Sequence, residues 1–300
     1  MYTPIQWLFF FYLYCFLGWC VESAWVSFNS RKWTNRGFVR GPFLPLYGSG
    51  AIMMLVVSMP FRYNVFLVYL SGCVGATILE YITGVIMEAL FKVRYWDYSR
   101  QKFNFQGYIC LGTTLSWGFL TILMTEVIHA RVEKLVFLIP AQVLTVLTLA
   151  ITVVFSVDFV LSFMAAIDLR NLLVKMEKAK GELQSIQKRL DTIITSTGES
   201  IGNRKEALVE TMEELKHSVG AKLEGLRNLT VSKPSEYLES VKEELLELKE
   251  KYAVNVELTK RFGGIRDFFH RHLLRGNPTM TSERYREILE ELKQRAQRKN

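Results

Sequence analysis

Residues 135–180 read LVFLIPAQVLTVLTLAITVVFSVDFVLSFMAAIDLRNLLVKMEKAK. Up to Ile167 the stretch holds one charged residue, Asp158, whereas residues 168–180 hold six. The solvent of the chain changes at that point. A helix needs about 20 mostly apolar residues to cross about 30 Å of hydrocarbon, and residues 135–167 exceed that. No proline interrupts residues 141–197, so the helix is expected to leave the lipid and continue into water as one rod.

The same contrast divides the whole chain. Residues 1–167 carry 11 Lys/Arg and 7 Asp/Glu, and residues 168–300 carry 26 and 22. Four further apolar segments precede the quoted one: about 5–28, 43–59, 65–91 and 108–128. The segment at 43–59 is the shortest and suits either a short span or a re-entrant piece. Loop charge gives the orientation. The loops at 29–42 and 92–106 hold four Lys/Arg each, whereas the turns near 62 and 129–134 hold one and two. With about five spans, the two basic loops and the basic tail share a side, and the positive-inside rule puts it in the cytoplasm and the N-terminus outside. The fold class is therefore all-α: a polytopic membrane helix bundle at 1–167 followed by a cytoplasmic helical domain. No positive region precedes the first apolar run, so a cleaved signal peptide is not expected.

The tail divides again. Leu169, Leu172, Met176, Ala179, Leu183, Ile186, Leu190 and Ile193 recur in steps of three and four, the spacing of a coiled-coil seam. Similar seams run through 208–226 and 238–252, separated by a break at 195–202 and by Pro234. Residues 168–260 thus suit either a folded-back bundle or pairing between copies of the chain. Residues 261–300 read differently. Ile265, Phe268, Phe269 and Leu273 share a face flanked by Arg261, Arg266, Arg271 and Arg275. Such a helix suits either an anionic lipid surface or packing against the coiled coil. Asn277-Pro278 then breaks the chain, and Ser282 is placed to cap a last helix from Glu283.

Charged residues inside spans cost roughly 2.5–3.5 kcal/mol each on insertion scales, so each is a candidate site. Glu22 and Glu80 lie deepest, whereas Glu88 and Asp158 sit nearer helix ends. The stretch NRGFVRGPFLPLYGSG at 35–50 cannot stay helical, with Gly37, Gly41, Gly48, Gly50, Pro42 and Pro45. Glycines let backbone N–H groups converge on an anion, and Arg36 and Arg40 add charge, so a phosphate or lipid headgroup fits. Asn35 and Tyr47 flank that stretch. Trp96-Asp97-Tyr98-Ser99 and Asn104 form a second polar cluster, in which Asp97 is expected to find Arg36 or Arg40. The two loops are thereby expected to build one polar site. The alternatives are plain: a basic connecting turn for the first loop, interfacial aromatic anchors for the second.

Other chemistry is excluded. GxxxxGK[ST] and HExxH are absent, and His129, His217, His270 and His272 form no ligand spacing. Cys15, Cys20, Cys73 and Cys110 lie in apolar segments without a CxxC pair, as buried thiols do. No cofactor, metal or nucleic acid is called for.

The motifs Gly18-Trp-Cys-Val-Glu22, Asn35-Arg-Gly-Phe, Gly41-Pro, Pro45-Leu-Tyr-Gly48, Trp96-Asp-Tyr-Ser, Gly107-Tyr-Ile-Cys-Leu and Ser116-Trp-Gly resemble the bacterial "Putative ABC-transporter type IV" family over about 5–165. The resemblance implies an inner-membrane protein of the transporter-permease kind, working with a separate ATPase subunit. Three functions follow from the residues and the resemblance together. One is a permease-like component using Glu22, Glu80 and Arg36. Another is a membrane-embedded lipid-binding protein or enzyme that holds a headgroup on the glycine-arginine loop. The third is a scaffold or sensor acting through its coiled coil, with homo-oligomers as partners.

Overall fold

The computed structural model describes residues 2–196 and 265–298, and nearly all regular structure in them is helical. The helices are α1 (Pro4–Ser30), α2 (Pro45–Ser58), α3 (Val65–Phe91), α4 (Leu111–Ile122), α5 (Ala130–Phe137), α6 (Ala141–Ser196), α7 (Ile265–Gly276) and α8 (Arg286–Arg298). A 3-10 turn, Met59–Phe61, extends α2, and a π segment, Leu123–His129, joins α4 to α5. The one two-stranded hairpin among the described residues pairs Asn104 with Cys110 and Phe105 with Ile109.

Four helical stretches are long and apolar enough to cross a membrane: Pro4–Ser30, Val65–Phe91, Leu111–Phe137 and Ala141–Glu182. Pro45–Phe61 is a shorter apolar helix. The helix starts obey local chemistry. Thr3 and Gln6 form a reciprocal capping box ahead of Pro4, the residue best tolerated in a first turn. Asn64 Oδ1 accepts from the amides of Phe66 and Leu67 at the start of α3.

Contacts define two ends of the bundle. Tyr2 meets His129 and Glu133 at one of them. At the other, the loops after α1 and α3 meet through Phe38, whose ring lies 5.5 Å from Phe91 and 6.0 Å from Tyr95. Those loops carry the clustered Lys/Arg, so this is the basic end. The core near the opposite end packs Phe9, Phe10 and Tyr14 of α1, Ala51, Met54 and Leu55 of α2, and Met124, Val132, Val136 and Leu144.

The segment at 43–59 forms a short helix reached through irregular backbone. After α1 the chain descends without helix along the side of α1: the Arg36 amide bonds Ser23 Oγ, and the Leu44 amide bonds the Cys15 carbonyl. Then α2 starts beside Gly18, where the Tyr47 side chain lies so close that any Cβ on residue 18 would collide with it. It runs on toward the Phe9–Phe10 core. Irregular backbone is tolerated at depth only where protein satisfies it. Here the Cys15 carbonyl and the Asp158 carboxylate do so, the latter accepting from the Gly41 amide at 2.6 Å. Gly37, at φ +133°, makes the turn that begins the descent.

On α3, Phe66, Leu70, Val74, Ile78, Ile82, Ile86 and Leu90 recur every fourth position and are exposed, as a lipid-facing ridge is. Val68, Gly72, Ala76, Glu80 and Gly84 form a parallel buried ridge. Its small residues let α4 approach closely.

The described chain divides into two compact units, 1–171 with 263–300, and 172–262. In the first, α7, α8 and the strap between them pack on the basic end. Arg94 and Thr281 exchange both backbone hydrogen bonds, at 2.7 and 2.8 Å, and Ser282 Oγ donates to the Lys92 carbonyl. The C-terminal segment is thus joined by hydrogen bonds to the membrane bundle. Ser282 does accept from the Tyr285 amide as a cap would, but the helix begins at Arg286, not Glu283. Of the second unit, the helical part of the first seam, to Ser196, is described. The seams at 208–226 and 238–252 lie outside the described residues.

Candidate functional site

Two carboxylates from different helices are turned toward the bundle at its basic end. Glu80, on the buried ridge of α3, is 5% exposed. Tyr98 donates to its Oε1 at 3.2 Å and the Trp117 indole to its Oε2 at 2.9 Å. Hydrogen bonds to a charged group contribute about 1.5–3 kcal/mol each, which offsets the cost of placing a carboxylate there. Glu22, one turn above Gly18 on α1, is half-buried. Tyr47 donates to its Oε2 at 2.7 Å and Arg36 Nε to its Oε1 at 3.3 Å. Burial, then Glu80, raises the Tyr98 hydroxyl well above the usual phenol range, and Cys110 and Glu22 add to the shift.

Arg36 is the pivot between bundle and strap. Besides Glu22, its Nη1 donates to the Gly276 carbonyl at 3.1 Å and to Asn277 Oδ1 at 3.2 Å, and its Nη2 donates to Thr279 Oγ1 at 3.2 Å. Thr279 donates in turn to the Tyr95 carbonyl. The two polar loops therefore meet, through Phe38 and through Thr279. The expected link between them is different. The cation beside Asp97 is Arg94, at 3.8 Å, whereas Arg36 is engaged with Glu22. Asp97 is three residues from Arg94 in sequence, and its oxygen already accepts from the amide and hydroxyl of Ser99. Burial raises the Asp97 carboxyl, but the Ser99 bonds and the charges of Arg94 and Arg100 outweigh it and leave the group below the usual carboxylate range.

The other residues singled out in the sequence divide by role. Asn35 accepts from the Trp19 indole at 2.6 Å and donates to the Arg40 carbonyl at 2.6 Å, fixing the turn. The carbonyl of Gly37 accepts from Asn277, and Gly41 donates to Asp158. Trp96 and Asn104 tie the hairpin together, Trp96 to the Tyr108 carbonyl and Asn104 to Ser99, Gln101 and Gly107. These two organise a loop and touch neither carboxylate.

Sequence reasoning missed two features. Arg94 is a hub: it bonds Glu88 at 2.6 Å, approaches Glu283 at 3.6 Å and lies over the Tyr108 ring. At the opposite end, Tyr2 donates to Glu133 at 2.6 Å, and His129 lies between Tyr2 and Tyr14 at 3.0 and 2.6 Å. A signal existed for the second: His129 and Glu133 are four residues apart, the spacing of one helix face. Among the described residues no group of three or more His, Cys, Asp or Glu has the arrangement of a metal site.

The fold defines a multi-pass membrane protein with a cluster of charged and polar side chains at one end of its bundle. Residues 9–163 match the family described as "Putative ABC-transporter type IV", which is just over half of the chain, and the chain belongs to that family. Searches of curated proteins and of solved structures gave no match.

Proposed function

We propose that the protein is a permease-like component of a transport system, with its solute site between the Glu22–Tyr47 pair and the Tyr98–Glu80 pair. The observation that supports this most is Glu80: a carboxylate kept on the protein-facing ridge of a helix whose other ridge faces lipid. A site of two carboxylates met by phenol and indole donors takes a cation or a solute rich in N–H and O–H groups. Arg36 holds Glu22 in the solute's absence and releases it when the solute's own positive group takes its place. Loop charge places the site at the cytoplasmic face and the N-terminus outside. The family supports a separate ATPase as partner, since this chain has no phosphate loop of its own.

The test uses the purified protein in lipid nanodiscs, titrated with monovalent cations, divalent cations and polyamines. Trp117, bonded to Glu80, supplies the fluorescence signal. A saturable change with one class, lost in Glu80→Gln and kept in Glu126→Gln, is expected. No saturable change with any class, or one indifferent to Glu80→Gln, rejects the site. Counterflow of the bound class across proteoliposomes then tests transport without an energy source. Binding without counterflow would make the chain a receptor and not a permease.

A further inference from the structure

Between the first basic loop and α7 lies an open cavity of about 480 Å³. It is lined by Trp33, Asn35 and Arg40 on the loop side and by Arg271, His272 and Arg275 on α7. Three arginines line it, Arg275 also donating from Nε to the Ala296 carbonyl, and no carboxylate is among its described lining residues. His272 lines the cavity with its N–H already engaged elsewhere. Burial lowers its pKa below the usual histidine value against the opposing pull of the Val39 carbonyl, and its Nε2 is spent on that carbonyl at 3.0 Å. Guanidinium groups suit phosphate, because their planar fork of N–H donors matches two phosphate oxygens at once.

A second cavity of about 390 Å³ shares Asn35 and Arg40 with the first and continues along α6 past Phe43, Val154 and Phe155. Val154 is 65% exposed on the flank of a membrane-spanning helix. Asp158 also lines it, but its Oδ2 is engaged by the Gly41 amide. A cationic chamber thus opens onto an apolar, lipid-facing one, with Arg40 at the junction.

We propose that this pair of cavities binds a phosphate-bearing anionic lipid, its headgroup phosphate among Arg40, Arg271 and Arg275 and the start of an acyl chain along Phe43 and Phe155. The site is separate from the Glu22–Glu80 pair, and neither carboxylate lines either cavity. Because α7 supplies half of the cationic wall, a bound lipid would clasp the C-terminal helices to the membrane bundle.

The experiment measures thermal stability of the full chain in a neutral detergent. Three ligands are compared: phosphatidylglycerol, phosphatidylcholine and inorganic phosphate. A saturable rise in Tm with phosphatidylglycerol alone is expected, at least halved in Arg40→Gln and in Arg271→Gln and unchanged in Arg131→Gln, which lies at the opposite end. An equal rise with inorganic phosphate would assign the chamber to free phosphate and overturn the lipid. An equal rise with phosphatidylcholine, or full response in the Arg40 and Arg271 variants, would overturn the proposal outright. Should those variants fail to fold, the wild-type protein serves with a phosphatidylglycerol carrying a photoreactive headgroup. Adducts within 33–43 or 271–276 are expected, and adducts confined to other peptides would overturn the site. Glu80→Gln leaves this response intact, so failure here is distinct from failure of the solute site.

Discussion

At the scale of residues, Arg36 joins one carboxylate of the bundle to three groups of the strap. Changing it to Ala removes the Glu22 pair and three hydrogen bonds to the strap at once. Its side chain is 13% exposed and that of Glu22 25%, so the loss falls between a surface and a buried pair, roughly 2–4 kcal/mol. Thermal or chemical unfolding in detergent measures it. A double-mutant cycle separates its partners: Arg36→Ala with Glu22→Ala departs from additivity, whereas Arg36→Ala with Asp97→Ala adds to within about 0.5 kcal/mol. Coupling to Asp97 as large as that to Glu22 would contradict the pairing described. The candidates Glu22, Glu80 and Arg36 were visible in sequence because charge in an apolar run needs a reason. Their partners were not, since topology places two loops on one side without saying which side chains meet. Asp97 shows the error: the nearest cation was its own neighbour three residues back, and a search across loops passed over it.

At the scale of elements, the strap Asn277–Ser282 fastens α7 to the basic end. Asn277 is 2% exposed, and its Nδ2 donates to the carbonyls of Gly37 and Leu273. Asn277→Ala leaves the Gly37 carbonyl unpaired and costs about 1–3 kcal/mol. The expected readout is faster amide exchange in 265–298 with the bundle helices unchanged. His272 gives the same docking a pH dependence. It is buried on α7 facing the Val39 carbonyl, with Asp158 and Arg40 nearby. Its folded pKa lies below the unfolded value, so the unfolded state binds more protons in acid. Docking is fully stable above about pH 6.5 and weakens as pH falls below it. His272→Gln flattens that slope, which exchange measured at pH 5.5 and 7.5 will show. The strap itself was only half legible. Asn277-Pro278 and Ser282 marked a break and a cap, but a pattern of polar residues does not tell which distant carbonyls they meet. The apolar face at 265–273 was readable as amphipathic. In the structure Leu273 on that face is fully buried.

At the scale of the whole molecule, hydropathy carried most of the fold. Five apolar segments in the sequence become four helical stretches long enough to span a membrane and one shorter apolar helix, because in lipid every backbone group needs an internal partner and helices alone provide it over such lengths. The exception is the descent at 36–44, where proline and glycine forced irregular backbone and the protein supplied Cys15 and Asp158 to pair it. Single-cysteine labelling tests the arrangement. Cysteines at Ser30 and Arg100 should react from the same face as one at Thr279, and one at Tyr63 from the opposite face. Ser30 and Tyr63 reacting from one face would refute the five-span reading of the sequence.

The fastening of strap to loops also sets a timetable. Arg36 and Asn277 are 241 residues apart, and at about 5–20 residues per second a ribosome needs roughly ten to fifty seconds between them. For that interval the newborn bundle sits in the bilayer with its basic end unfinished. Arg94 has no strand-like partner and Gly37 no amide to meet. Completion of the basic end therefore waits until the strap has been made. A pulse-labelled chain is expected to pass from protease-sensitive to protease-resistant at its basic loops only once Thr281 has emerged, and a nascent chain stalled before Asn277 should never make the passage.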